Sequence, residues 1–308
     1  MKTAVNGVYS GEDARSWPIT RPGVMLDLIP QLLDHFRFKR PTAARPEIQR
    51  VVSELDRDGV AIMERAAPAE LVEKAVRDMD QLVERMPELQ GTIKTKRRST
   101  GGTRDYPVHE FQEGLKIYRS HDPLMFSQAY AKFLLLPDLI DVMDSYLGKK
   151  WFYQAMIATR TEPSEATRAG FAQWHHDARG RKLNVFLLLT AVPPDGPATV
   201  VLKGSHHLLY SRARRERNFF GDEDVAAIKR KHGWMERACH APAGSLLFFD
   251  SQALHLGRRS PHRRDAFQVN CMTKRDHLWP QEIPRSLLLS LAPAEQRDLL
   301  RRASLQIV

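Results

Sequence analysis

The sequence predicts a mainly β fold with helices: a double-stranded β-helix, or jelly-roll, core with N-terminal and C-terminal helices packed around it. Three observations predict it. From residue 151 onward, short apolar or alternating runs follow one another, separated by turn-rich text such as Pro193-Pro194-Asp195-Gly196-Pro197, the pattern of successive strands. Over 46–55, 69–86 and 123–147, and again over 284–304, the text reads as helical instead. No composition break, internal repeat or long low-complexity segment divides the 308 residues, a length that one large domain can fill.

The elements follow in order. Residues 1–40 read as an irregular arm with a short helix over 25–36. Ile48, Val51, Val52 and Leu55 are spaced for a helix over 46–55, and 59–63 reads as a strand. Residues 69–86 place Leu71, Val72, Ala75, Met79, Leu82 and Val83 on one face of an amphipathic helix. Residues 88–122 show no clear period and hold Gly101-Gly102, a basic run, Tyr106, His109, Phe111 and Tyr118. An aperiodic segment of that length predicts a functional lid or a disordered loop. Helical text returns over 123–147, strands are expected over 151–161, 182–190 and 264–270, a turn leads into a further strand within 243–250, and 199–206 carries the Gly-Ser-His element. Asp222-Glu223-Asp224 opens a short helix, where carboxylates meet the positive end of the dipole. Residues 284–304 read as capping helices. One catalytic domain over 1–308 is expected: a mainly helical elaboration over 1–150, the β-helix core over 151–275, and C-terminal helices over 276–308.

The chemistry is concentrated in Trp174-His175-His176-Asp177. Residues two apart on a strand project to one face, so His175 and Asp177 point together with Gln173, while His176 and Trp174 point away. A distal imidazole, His255, completes a two-histidine, one-carboxylate facial triad, the ligand set of non-haem Fe(II) oxygenases. A single His-x-Asp is weak, because a half-buried strand with a satisfied histidine carries the same text. Its surroundings give it weight. Gln173-x-His175-x-Asp177, Gly204-Ser205-His206, the Gly244-Ser245 turn into an apolar strand, and His255 followed by Arg264 occur in that order.

This succession resembles the phytanoyl-CoA dioxygenase family of Fe(II)/2-oxoglutarate oxygenases. The likeness runs over roughly residues 50–275 and includes the text around Gly59 and the stretch from Leu135 to Gly148. Two positions depart from the family pattern. Lys203 stands where a proline usually precedes Gly-Ser-His, and Ser245 replaces an aspartate; neither is a ligand. The resemblance implies a cupin-like jelly roll that binds Fe(II) through His175, Asp177 and His255 and uses 2-oxoglutarate and O2 as co-substrates. It implies that an arginine after His255 holds the distal carboxylate of 2-oxoglutarate, and that Gln173 and Thr199 touch it too. A bidentate carboxylate in a dry pocket suits arginine better than lysine. Arg264 is preferred over its rivals Arg263 and Arg259 because it shares a strand face with polar Gln268 and Asn270. The implied outcome is oxidation, by default hydroxylation, of a substrate C–H bond with release of succinate and CO2. Retention of Asp177 sets the chain apart from the halogenases of this class. Desaturation, epoxidation and ring formation use the same iron site. His206 is expected to be structural, and Ser205 has no nucleophile–base pattern that would point to a hydrolase.

The net charge is +10, with basic clusters at 94–98, 212–217 and 258–264. Such a field attracts anions. The clusters have three readings: solvated loops, an anionic small substrate, or nucleic acid. The second reading assigns substrate contact to Lys96, Arg97 and Arg98, beside Gln268 and Asn270. No nucleic-acid module or basic–aromatic alternation supports the third. A non-catalytic jelly-roll binding module with a basic nucleic-acid face is the rival in another class, and a cupin-type metal isomerase is a third. The triad together with Arg264 argues against both, leaving a small-molecule oxygenase suited to a biosynthetic pathway. No apolar run approaches a bilayer span, residues 1–18 lack the apolar core of a leader, and Cys239 and Cys271 are the 2 cysteines. No membrane association and no disulfide framework are expected, and the setting is a soluble, reducing, cytoplasmic one.

Overall fold

Two antiparallel sheets carry the fold. The computed structural model describes residues 45–89, 92–96, 103–113, 116–164, 172–177, 182–207, 219–273 and 278–308, with the backbone alone over 92–96 and 103–107. The larger sheet runs β1 (Val60–Met63), β12 (Leu246–Asp250), β8 (Lys182–Leu188), β14 (Arg264–Met272), β6 (Phe152–Thr161), β5 (Ile117–Ser120) and β4 (His109–Gln112). The smaller runs β10 (Phe219–Phe220), β7 (Trp174–His175), β13 (His255–Gly257), β9 (Thr199–Leu202) and β11 (Glu236–Ala238). The sheets face each other across a cavity lined by both, the two-layer arrangement of a jelly roll.

Strand alternation decides which side chains enter that cavity. On β8 and β14, Leu183, Val185, Leu187, Phe267, Val269 and Cys271 point outward into the main core. There they meet α1 (Pro46–Asp58), α2 (Ala69–Arg85), α3 (Gln128–Leu134) and α4 (Pro137–Leu147), whose apolar stripes cover the outer face. The intervening Phe186, Gln268 and Asn270 line the cavity. A smaller cluster holds α5 (Asp222–His232) through Val225 against Trp174, Val200 and Leu202. At the C-terminus α6 (Arg285–Leu289) and α7 (Pro293–Arg302) are bracketed by β15 (Gln281–Ile283) and β16 (Leu305–Ile307), which pair in parallel. Among the described residues, no helix is long and apolar enough to cross a membrane.

The Gly-Ser-His turn ties α1 to the small sheet. Gly59 ends α1 at φ +75°, and a Cβ there would sit 2.5 Å from Nδ1 of His206. His206 Nε2 in turn bonds the carbonyl of Asp56 at 3.0 Å. Ser205 Oγ donates to the Leu202 carbonyl at 2.6 Å and accepts from the Leu254 amide at 2.8 Å, fixing the end of β9 beside the start of β13. Gly59→Ala is expected to destabilise the protein by roughly 1–2 kcal/mol from the left-handed backbone alone, with crowding against His206 adding to it. Denaturant unfolding measures this, and an unchanged midpoint would contradict it.

Three expectations are corrected. The region 88–122 is not aperiodic: its described part forms the β2 (Thr92–Lys96)–β3 (Thr103–Pro107) pair and the β4–β5 pair. The sheet also does not respect a boundary at residue 150, because β1 pairs with β12 and β5 pairs with β6. Strands of four or five residues with polar text on both faces leave too few repeats for a period to show. The C-terminal part is not helical alone, since β15 and β16 flank its helices. The helix expected over 25–36 lies outside the described residues.

Candidate metal centre

β7 and β13 are neighbours, and His175 and His255 are partners in their register. Their rings lie 4.3 Å apart. Each ring directs Nδ1 at a carbonyl two residues earlier, His175 at Gln173 O (2.8 Å) and His255 at Ala253 O (2.9 Å). A ring nitrogen facing a carbonyl carries the proton, so both Nε2 lone pairs are left for a metal. These Nε2 atoms lie 3.6 Å from Oδ1 and 3.6 Å from Oδ2 of Asp177. One donor atom from each of the three residues falls within 4.8 Å of the others. Atoms each about 2.1 Å from one ion sit about 3–4 Å apart, so the donor set fits a single divalent cation.

The convergence is as expected, but the element is shorter. β7 ends at His175, and Asp177 lies two residues past it, outside any strand. Its amide donates to the Ser251 carbonyl at 2.9 Å, and its Oδ2 accepts from Asn184 Nδ2 at 2.5 Å. Burial, with His255 alongside, pushes His175 down to about 4. Burial opposes ionisation of Asp177, yet His255, His175 and Lys182 hold it below the usual carboxylate range. Neutral imidazole and ionised carboxylate are the forms that bind a metal. His176 is buried 6.1 Å from the Phe220 ring and lies outside the donor group, and Trp174 is core.

The triad opens into a cavity of about 680 Å³. Arg264 lines it, donating through Nη1 to Pro197 O (2.7 Å) and Thr199 Oγ1 (3.3 Å), with its guanidinium 5.7 Å over Phe186. Thr199 is buried beside it. Burial, with Arg259 nearby, lowers Arg264 to about 10, which leaves it charged at neutral pH. Among the described residues no carboxylate pairs with Arg264, and its buried Nε has no hydrogen-bond partner. Arg263 differs: it pairs with Asp265 at 2.8 Å and Asp80 at 3.3 Å, where Arg160 also binds Asp265. Arg259 lines the cavity as well.

Gln268 and Asn270 line the cavity, as expected. Gln173 does not: its side chain is exposed and outside the lining, and its carbonyl is the group that reaches His175. Lys96 is described by its backbone in β2, and Arg97 and Arg98 lie outside the described residues.

Sequence reasoning missed the far wall, built by Glu110, Gln112, Arg119 and His121 with Gln154 and Trp279. Glu110 Oε1 accepts from Gln112 Nε2 at 2.9 Å and lies 3.4 Å from His121 Nε2 and 3.7 Å from Arg119. These residues sit on or beside β4 and β5, and β5 pairs with β6, so the two strands form one wall of the larger sheet. The signal was the alternation Glu110, Gln112 against His109, Phe111, too short to stand out.

A jelly roll with two histidines and an aspartate converging in its cavity defines the class of non-haem iron oxygenases. The phytanoyl-CoA dioxygenase (PhyH) family model matches residues 55–266, more than half of the chain. The chain belongs to that family, and is an Fe/2-oxoglutarate-dependent enzyme. Solved structures share the fold at low identity. SnoN, a non-heme alpha ketoglutarate dependent epimerase from nogalamycin biosynthesis, is 16% identical with a TM-score of 0.54, covering 73% of this chain and 83% of its own. AviO1 from Streptomyces viridochromogenes Tue57 is 16% identical with a TM-score of 0.52, covering 74% of this chain and 96% of its own. EvdMO1 is 14% identical with a TM-score of 0.52, covering 75% and 51%. No curated protein sequence matches the chain.

Proposed function

We propose that the protein hydroxylates a C–H bond of an anionic small molecule in a biosynthetic pathway, converting 2-oxoglutarate to succinate and CO2. The observation that carries this reading is Arg264, a half-buried cation with a buried Nε and no carboxylate partner among the described residues, in the same cavity as His175, Asp177 and His255. Those three residues would hold Fe(II), which with 2-oxoglutarate and O2 supplies the oxidant for a C–H bond. Arg264 binds the distal carboxylate of 2-oxoglutarate in its planar fork, and Thr199 sits beside it to accept or donate a further bond. A cavity of about 680 Å³ has the size of ordinary small-molecule sites.

An anionic substrate is supported by the lining. Apart from the triad and Arg264, Lys182, Arg119, Arg258 and Arg259 line it against one carboxylate, Glu110, which lies 3.7 Å from Arg119. SnoN is an epimerase of nogalamycin biosynthesis on the same fold, so substrate pose selects the outcome. Asp177 as third ligand supports hydroxylation over halogenation here.

Purified protein loaded with Fe(II), 2-oxoglutarate and O2 tests the reading against matched anionic and neutral small molecules. Succinate release should rise above the no-compound background with an anionic compound, whose mass gains one oxygen. Absence of any 2-oxoglutarate-dependent succinate would overturn the co-substrate assignment. Stimulation by neutral compounds only would overturn the anionic one.

A further inference from the structure

Two asparagines stand in the middle of the larger sheet. Asn184 on β8 and Asn270 on β14 are directly opposite in register, 0% and 8% exposed, each flanked by buried apolar residues of its own strand. Buried amides cost free energy unless hydrogen-bonded, and these two are bonded in one line. Asn184 Nδ2 donates to Asp177 Oδ2 at 2.5 Å. Asn184 Oδ1 accepts from Asn270 Nδ2 at 2.5 Å. Asn270 Oδ1 accepts from Gln268 Nε2 at 3.3 Å.

The direction of this line follows from its end. An ionised carboxylate only accepts hydrogen bonds, whereas an amide has one accepting and one donating side. Asn184 must therefore turn its NH2 to Asp177 and its oxygen to Asn270. Asn270 must then give its NH2 to Asn184 and its oxygen to Gln268. Gln268, half-buried at the cavity wall, gives its NH2 to Asn270 and keeps its own oxygen for the cavity. The orientation of all three amides is set by Asp177, and they in turn hold Asp177.

We propose that Asn184 and Asn270 are positioning residues for the metal site: a polarised amide relay that occupies Asp177 Oδ2 and offers Oδ1 to the cation, with Gln268 as its cavity end. The inference rests on the reading of His175, Asp177 and His255 as metal ligands. Those ligands converge from β7, β13 and the chain just after β7. Asp177 is the one outside a strand, and it is the one the relay anchors to the large sheet.

The test uses the metal-free protein and Co(II) as the probe, reading affinity and ligand-field absorption, with thermal unfolding of each metal-free variant as the folding control. Asn184→Ala should weaken Co(II) binding about 10- to 100-fold, as loss of an outer partner of a ligand does. Asn270→Asp is the decisive variant. A negative charge added near a dication would by itself tighten binding. The relay predicts the opposite, because a carboxylate at 270 cannot donate, so Asn184 must swing its NH2 toward it and point its oxygen at Asp177. Binding weakened about tenfold or more, and beyond that of Asn270→Ala, is expected. Affinity equal to or tighter than wild type in folded Asn270→Asp overturns the relay. If that variant does not fold, Asn270→Ala and Asn270→Leu carry the test, and wild-type affinity in both overturns it. Failure of the wild-type protein to bind Co(II) would instead overturn the ligand assignment itself.

Discussion

His255→Ala is expected to weaken Fe(II) binding by more than about 100-fold and to abolish turnover, while His176→Ala keeps the iron. Changing even an outer partner of a ligand commonly costs about 10- to 100-fold in metal affinity, and His255 is a ligand atom itself. Its Nε2 lies 3.6 Å from Asp177 Oδ2, and its Nδ1 is spent on the Ala253 carbonyl. Removing it leaves two donors, His175 and Asp177, on one side of the cation and opens the other to water. His176 is adjacent in sequence to both remaining ligands and is equally buried, yet it points to the opposite side, toward Phe220. Its loss leaves a packing defect there, so stability falls without loss of the donor set. Anaerobic Fe(II) titration, scored per mole of folded protein, separates the two. Comparable iron loss in both variants would remove the strand-face assignment of the ligands.

That assignment shows what a sequence can carry. His175 and Asp177 converge on one side as strand alternation predicts, although the ladder stops at His175. Ser251 and Asn184 replace the missing strand partners for Asp177. Gln173 failed the same argument: it lies before the two-residue strand, where the alternation no longer governs where a side chain goes. The helices of residues 46–85 and 128–147 were legible because each repeats its apolar stripe through several turns. The wall of β4 and β5 was not, because four-residue strands show at most two repeats and β6, which joins β5 to the sheet, lies beyond two intervening α-helices. Asn184 had a visible signal that went unused, a lone amide inside the apolar run from Leu183 to Leu189. Its partners, Asp177 and Asn270, are set by sheet register, which no local pattern encodes.

Arg264→Ala is expected to raise the apparent KM for 2-oxoglutarate roughly 10- to 150-fold, the equivalent of the 1.5–3 kcal/mol of a hydrogen bond to a charged group. Its surroundings place it at the upper end of that range. The guanidinium is packed over Phe186 and anchored through Nη1 to Pro197 and Thr199, so it is held in one orientation before the anion arrives. Arg264→Lys should recover a part of the loss, because an ammonium restores charge but not the planar fork. The charge state gives an independent check. Burial lowers Arg264 only to about 10, which leaves the guanidinium charged throughout the working range, so KM should be flat from pH 7 to about 9. Arg263 is the control one residue away. Its Nη2 is committed to Asp265 and Asp80 on the outer face of the sheet, and Arg160 remains on Asp265 when it is removed. Arg263→Ala should therefore cost about 1 kcal/mol of stability at most and leave the KM for 2-oxoglutarate within twofold, roughly the scatter that a distant change produces. Steady-state succinate formation at varied 2-oxoglutarate decides between the two arginines. A larger KM effect from Arg263→Ala than from Arg264→Ala would move the carboxylate partner to the other face of β14 and take the co-substrate out of this cavity.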